Sequence, residues 1–532
     1  MIYITGKNDI VLEVINLRVN NSIKNVIVSV LSNFVSILIG FACQIIFTKT
    51  LGLDYLGING LFTNIMSMLA VVELGLGSAI VYNLYKPIAV NDVEKIKSWM
   101  AFYKKSYHII AIIIFIIGLM VVPFLQTIVG PTSVKASIYI IYLLFLTDCV
   151  CSYLLSYKRS ILYAQQKNYV VNLVHILYLM VMNVSQIIVL LLTKNYYLYL
   201  ILKITMRIIE NVIIMLIADR LYPYLKDKKL SMITSEEKKD VFQKIKALFF
   251  HKVAGFVVSG TDNIIISAYL GVKMVGLYSN YLLIITAVTT ILNQVFTSLT
   301  ASVGDLLVTS AKEKNYVVFR RIRFLNYFIS SFCTVSIIIL MQPFISIFFG
   351  EKYLLSNITL IVLGINFYLQ TTRLSFLSFK EAAGIFYEDR FVPVLESVVN
   401  IVSSIILLKF FGIAGVFMGT VLSNLVLHLY SYPKYVYKKL FDRSYLKYYK
   451  EMFSFLLIAV ISGLLTYVFS TLVIFSNITL TFILKIVICL LIPNLFNVLI
   501  FRNKEELKYF INLFKQYYTM IIKHLKRNQR VN

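Results

Sequence analysis

Apolar residues run through this chain in blocks of helix length, separated by short segments that hold most of its Lys and Arg. Fourteen such blocks can be delimited, at about 26–48, 59–83, 106–128, 136–156, 170–193, 196–218, 247–269, 276–302, 324–345, 356–379, 391–410, 414–432, 452–474 and 478–501. A helix of about 20 residues crosses a hydrocarbon core of ~30 Å. The pattern therefore predicts an all-α polytopic membrane protein with about fourteen transmembrane helices.

Basic residues orient the spans. With the N-terminus and every second loop on one side, that side collects 40 of the 51 Lys and Arg; the opposite loops hold 6, and 5 fall inside spans. By the positive-inside rule the basic side is cytoplasmic, and both termini lie there. The setting implied is a membrane with these basic loops on its cytoplasmic face. The first apolar block lacks a small-residue cleavage site, so it is expected to stay as the first span.

A repeat divides the chain. Leu51-Gly52 with Gly57 recurs as Leu270-Gly271 with Gly276, and Pro123-Phe124 with Gly130 recurs as Pro343-Phe344 with Gly350. The offset covers six spans. An even number gives both copies one direction through the membrane, so two parallel six-helix lobes are expected, with two extra C-terminal helices. The predicted organisation is a cytoplasmic segment 1–25, a first lobe 26–218, a charged linker 219–246, a second lobe 247–432, an appendix 433–501 and a basic tail 502–532.

Composition agrees. The 532 residues are 59% hydrophobic and only 14% charged, with mean hydropathy +0.81, where a soluble protein carries about a quarter charged residues. The net charge of +26 would suggest nucleic acid in a soluble protein, but here loop orientation and anionic lipid account for it. The five cysteines all lie in apolar runs, and buried thiols are expected. There is no GxxxxGK[ST], no HExxH and no cofactor or metal motif. No catalytic constellation stands in an aqueous loop, so an enzyme is not expected.

Charges at membrane depth are costly towards lipid and mark sites. Glu73 stands inside the second span, which should run unbroken from about Leu61 to Tyr82, and Asp148 stands in the fourth. In the sixth, Lys203, Arg207 and Glu210 at i, i+4 and i+7 share one face. They read as a cavity wall for an anionic headgroup, or as an Arg207–Glu210 pair with Lys203 snorkelling outward. In the seventh, Lys252, Ser259 and Asp262 share a face, with Asp262 a candidate for a coupling ion or a packing hydrogen bond. In the tenth, Arg373 is a candidate phosphate clamp or snorkels to the nearby cytoplasmic side, and Glu396 in the eleventh is a candidate to pair with Arg373 or Arg390. Lys203, Arg207, Lys252 and Arg373 are thus the candidate substrate-binding cations. Glu73, Asp148, Glu210 and Asp262 are candidate ion-coupling or structural carboxylates.

Three stretches carry a resemblance: LGLDYLGINGLFTNIMSMLAVVELGLGSAIVYNLYKPIA at 51–89, TDNIIISAYLGVKMVGLYSNY at 261–281 and YEDRFVPVLESVVNIVSSIILLKFFGIAGVFMGTVLSNL at 387–425. The chain resembles the Wzx-type polysaccharide flippases, in the multidrug/oligosaccharidyl-lipid/polysaccharide (MOP) exporter superfamily. The resemblance implies a flippase that moves an undecaprenyl-diphosphate-linked oligosaccharide to the outer leaflet for capsule or exopolysaccharide, by ion-coupled alternating access. Glycosyltransferases and a polymerase of the same pathway would be partners. The competing readings are a lipid II flippase, a cation-coupled multidrug exporter of the same superfamily and, from another class, a membrane glycan polymerase.

Overall fold

The computed structural model describes residues 34–73, 76–226, 233–239, 241, 260–385, 388–473 and 475–528. Among these residues the protein is helical almost throughout and contains no strand. Twelve helices are long and apolar enough to cross a membrane. A further helix, Tyr196–Leu221, has the length but carries Lys203, Arg207 and Glu210 in its middle. The seventh predicted span lies largely outside the described residues. The protein is a polytopic all-α membrane protein, as the apolar blocks predict.

The chain forms two compact units, Met1–Asn280 and Tyr281–Asn532. The first contains α1 (Phe34–Leu51), α2 (Leu53–Leu69), α3 (Leu76–Ala89), α4 (Val93–Val121), α5 (Ile138–Leu154), α6 (Arg159–Ala164), α7 (Asn168–Thr193) and α8 (Tyr196–Leu221). It also takes in the opening turns of α9 (Val272–Thr309). Lipid tails are as apolar as these side chains, so close packing, not escape from water, holds such helices together. Phe62 meets Tyr142 and Phe145 edge-on at 5.3 and 5.7 Å, and the Tyr142 hydroxyl donates to the Gly118 carbonyl at 2.8 Å.

The repeated glycines have a definite use. Gly52 and Gly271 stand just ahead of α2 and α9 with φ of +89° and +82°, a conformation that a Cβ disfavours. Five residues after each, Gly57 and Gly276 press against one another's helix. A Cβ on Gly57 would strike the Val272 carbonyl, and one on Gly276 would strike the Leu53 carbonyl. The contact is reciprocal and made by backbone. Gly130 and Gly350, the second repeated pair, also share a positive φ, +67° and +115°.

The second unit contains the rest of α9, then α10 (Lys312–Phe348), α11 (Asn357–Thr372), α12 (Leu374–Ala382), α13 (Val392–Phe411), α14 (Ile413–Val426), α15 (Tyr445–Thr471), α16 (Ile478–Phe501) and α17 (Glu505–Asn528). Beyond α14 the chain continues as a π-helical stretch, Leu427–Leu440, with Pro433 inside it. Phe319 is packed among Phe376, Phe379, Tyr437 and Phe441. The Tyr327 hydroxyl donates to Asn497 at 3.0 Å and ties α10 to α16.

Among the predicted spans that are interrupted are the second and the tenth. The second is not one helix from Leu61 to Tyr82: α2 ends at Leu69, a 3₁₀ turn covers Ala70–Glu73, and α3 starts at Leu76. The sequence there, ELGLGS, puts Gly75 and Gly77 where a helix would need stronger formers. The tenth breaks at Arg373, between α11 and α12. The hydroxyls of Thr371 and Thr372 donate back to the Phe367 and Tyr368 carbonyls, at 2.8 and 2.7 Å, and compete with the helix ladder there. Of the five cysteines, Cys43 and Cys489 are buried and the other three half-buried, all as free thiols.

Because backbone blocks both faces of the glycine contact, Gly276→Ala should force α2 and α9 apart. The expected loss is about 1–3 kcal/mol, the range for overpacking a tight site. A lowered unfolding temperature of the purified protein in detergent, with Gly304→Ala (whose Cβ meets nothing within 4 Å) unchanged, is the measurement.

Candidate functional site

The first unit encloses a cavity of about 920 Å³, lined by parts of α3, α4, α5, α6, α7 and α8 and by the turn that holds Glu73. The walls are tyrosine- and serine-rich: Tyr82, Tyr85, Tyr103, Tyr107, Tyr153 and Tyr163, with Ser152, Ser156 and Ser160. Arg159 and Arg207 are its two cations, and Glu73 is its one carboxylate.

The break in the second span sets Glu73 against tyrosine hydroxyls. Tyr107 donates to Glu73 Oε1 and in turn accepts from Tyr103 at 3.1 Å. The two rings lie 4.5 Å apart, one turn from each other on α4, and Tyr153 of α5 packs on Tyr107 at 5.8 Å. A Cβ on Gly77 would come within 3.0 Å of the Tyr103 hydroxyl and 3.1 Å of Glu73 Oε1. The glycine therefore lets α3 approach this cluster, and a larger residue would displace it.

The sixth-span stripe is a network. The Glu210 side chain is wholly buried and meets three groups: Arg207 at 3.1 Å, Arg159 at 3.1 Å and the His175 ring at 2.8 Å. Arg159 also donates to Asn211 Oδ1 at 2.8 Å. Two turns earlier on α8, Lys203 pairs with Asp148 of α5 at 3.1 Å, and Arg207 Nε stands 3.8 Å from the same carboxylate. Aromatic faces cover the cations: Phe145 lies 4.9 Å from Lys203 Nζ, and Tyr178 lies 5.0 Å from the Arg207 guanidinium. Three permanent cations thus share two carboxylates, Asp148 and Glu210. Of the stripe only Arg207 lines the cavity; the Arg207–Glu210 pair forms, and Lys203 turns to Asp148 of α5 where the sequence reading has it snorkelling outward.

The remaining candidates stand elsewhere. Lys252 lies outside the described residues. Asp262 is half-buried in the helical stretch 260–270. Arg373, in the second unit, reaches Glu396 at 3.4 Å and Asn424 at 3.3 Å, binding the α11–α12 break to α13 and α14. Arg159, His175 and the tyrosines Tyr103, Tyr107 and Tyr153 are absent from the sequence-derived candidates. Arg159 belongs to a basic loop that orientation alone explains; the Tyr103–Tyr107 spacing of one helical turn is the visible signal. Among the described residues no group of three or more His, Cys, Asp or Glu is arranged to hold a metal ion.

No protein-family profile and no curated protein matches the chain. Solved structures do share its fold. A lipid II flippase MurJ in an inward closed conformation superposes with a TM-score of 0.66 at 16% identity, over 90% of this chain and 99% of the other. An inward-facing multidrug resistance MATE family transporter of the MOP superfamily gives 0.54 at 12% identity, over 74% and 91%. A mutant form of the Vibrio cholerae MATE transporter VcmN gives 0.53 at 15% identity, over 77% and 94%. The chain therefore shares the fold of these flippase and transporter structures.

Removing one donor from a half-buried carboxylate such as Glu73 leaves it undersatisfied, at about 1–3 kcal/mol. Tyr107→Phe should lower the stability of the purified protein by that amount. Glu210→Gln should do more harm, about 3–5 kcal/mol, because it strands cations that share a buried partner. Thermal unfolding of both variants in detergent checks the order.

Proposed function

We propose that the protein is a flippase that carries undecaprenyl-diphosphate-linked oligosaccharide repeat units across the bacterial cytoplasmic membrane, for capsule or exopolysaccharide synthesis, by ion-coupled alternating access. The observation that carries this reading is the first unit's cavity, where Arg159 and Arg207 stand beside tyrosine and serine hydroxyls. A diphosphate bearing a glycan cannot cross hydrocarbon unaided. It needs cations for its phosphates, hydroxyls and aromatic faces for its sugars, and lipid for its polyprenyl tail.

The residues have separable roles in this proposal. The Arg159 and Arg207 guanidinium groups meet phosphate oxygens through planar forks. Lys203 and Asp148 hold Arg207 in place and keep it desolvated only in part. Glu73 sets the cavity's balance: when ionised it matches the third cation, and when neutralised by a bound cation it leaves the cavity positive. Lys252, Arg373 and Asp262 are carried as further candidates for substrate and coupling ion. The cavity residues come from the ends of α4, α5 and α7 that the Lys and Arg distribution assigns to the cytoplasm, where the loaded lipid is made.

The likeness to the MurJ structure, which spans 99% of that chain, favours lipid II as a second cargo, with the same diphosphate chemistry. A drug exporter is less well supported, because a pocket for cationic drugs needs excess carboxylate, and this cavity presents two arginines and one glutamate.

Deletion of the protein should leave undecaprenyl-linked repeat units on the cytoplasmic face, measured by lipid extraction, with surface glycan lost. Normal glycan export with altered drug sensitivity would overturn the proposal; arrested peptidoglycan synthesis would favour lipid II. In vitro, Arg207→Ala should weaken binding of undecaprenyl diphosphate by about tenfold or more, the loss of one charge-assisted hydrogen bond. Glu73→Gln should strengthen it, since three cations would then face two carboxylates. Calorimetric titration of both variants reads the opposite signs.

A further inference from the structure

The basic tail is a 24-residue helix, α17, and it begins three residues after the membrane-crossing α16 ends. Three extended residues reach ~10 Å, so the helix starts at the membrane boundary. Its first turns are anchored on α10: Arg320 pairs with Glu506, the Arg321 guanidinium lies 3.8 Å over the Tyr509 ring, and Leu507 is buried with Phe324, Tyr327 and Phe501. Beyond that anchor the character changes. Ile511 and Phe514 are 41% and 72% exposed, a large apolar surface on one short stretch of helix. Lys508 and Lys515 are exposed as well.

At 100° per residue, Phe510, Ile511 and Phe514 fall within one arc, and Lys508, Asn512 and Lys515 fall in a second one centred about 120° further round the helix. The sequence keeps the same spacing afterwards, with Ile521, Ile522 and Leu525 in the first register and Lys523, Lys526 and Arg527 in the second. From Arg502 to the end there are eight Lys and Arg against Glu505 and Glu506. Glu506 is already used by Arg320.

We infer that α17 is a membrane-surface helix: its apolar face enters the boundary between headgroups and acyl chains, and its lysine row binds anionic phospholipid headgroups. The occupant is lipid because the helix leaves a transmembrane span at the bilayer's edge, because apolar and cationic arcs alternate at helical period, and because its net charge complements an anionic leaflet. The cavity in the first unit plays no part, so this inference stands apart from the proposed cargo.

The test uses the full chain in vesicles. A nitroxide is attached to Phe514→Cys or Lys515→Cys, and the unmutated chain, with its own five cysteines, supplies the background. In phosphatidylglycerol-containing vesicles the label at 514 should collide several-fold more with oxygen than with a water-soluble nickel chelate, and the label at 515 should show the reverse. The contrast should shrink in phosphatidylcholine vesicles, and in phosphatidylglycerol when Lys508→Gln, Lys523→Gln and Lys526→Gln are combined. Equal accessibility at 514 and 515 would overturn the inference. So would a label at 514 shielded from both reagents, which would mean a protein partner or a second copy. An identical contrast in both lipids would overturn the anionic recognition.

Discussion

An ionised side chain in hydrocarbon must meet an opposite charge or a polar group, and much of this structure follows from that requirement. In the first unit Glu210 satisfies it for Arg207 and Arg159 and also meets the His175 ring, while Asp148 serves Lys203 and the far side of Arg207. Three long helices and a short connecting one are bound by these side chains. A hydrogen-bonded network of this kind fixes where the arginine forks point. The second unit solves the same problem differently. Buried Arg323 meets Glu451 and the Tyr437 hydroxyl, and the rings of Phe376, Phe455 and Tyr448 surround it at 5.2–5.6 Å.

The two solutions leave different surroundings. Around Arg323 the space is aromatic and aliphatic, a smaller pocket of about 330 Å³. Around Arg159 and Arg207 it is hydroxylic, because α4 and α5 bring tyrosines and serines to the same depth. The first setting suits a structural cation. The second keeps guanidinium groups in contact with a polar cavity, where an incoming anion can exchange for part of their existing hydrogen bonding.

Much of this is legible in the residues. Apolar blocks of span length specify the helices, since lipid admits few other backbones. The repeated glycines are visible as spacing, and their positive φ and their reciprocal contact explain why those positions hold glycine. The stripe Lys203, Arg207, Glu210 is readable from helical periodicity. What periodicity cannot supply is the partner across the gap. Arg159 is one basic residue in a loop of several, and only the turn from α5 into α6 brings it to Glu210. The break at Glu73 is also hidden, because hydropathy registers apolar length and is blind to a 3₁₀ turn inside it. Read along the chain, Glu73 is an isolated carboxylate; its partner Tyr107 lies on another helix 34 residues away.

The seam between Gly57 and Gly276 sets a rule for divergence. It is built from missing side chains, so it asks for hydrogen at two positions and is indifferent to the shape of most others. Neighbouring residues can exchange volume and branching without shifting the helices that the seam holds. An architecture pinned in this way places its demand on two positions and leaves the spelling around them free.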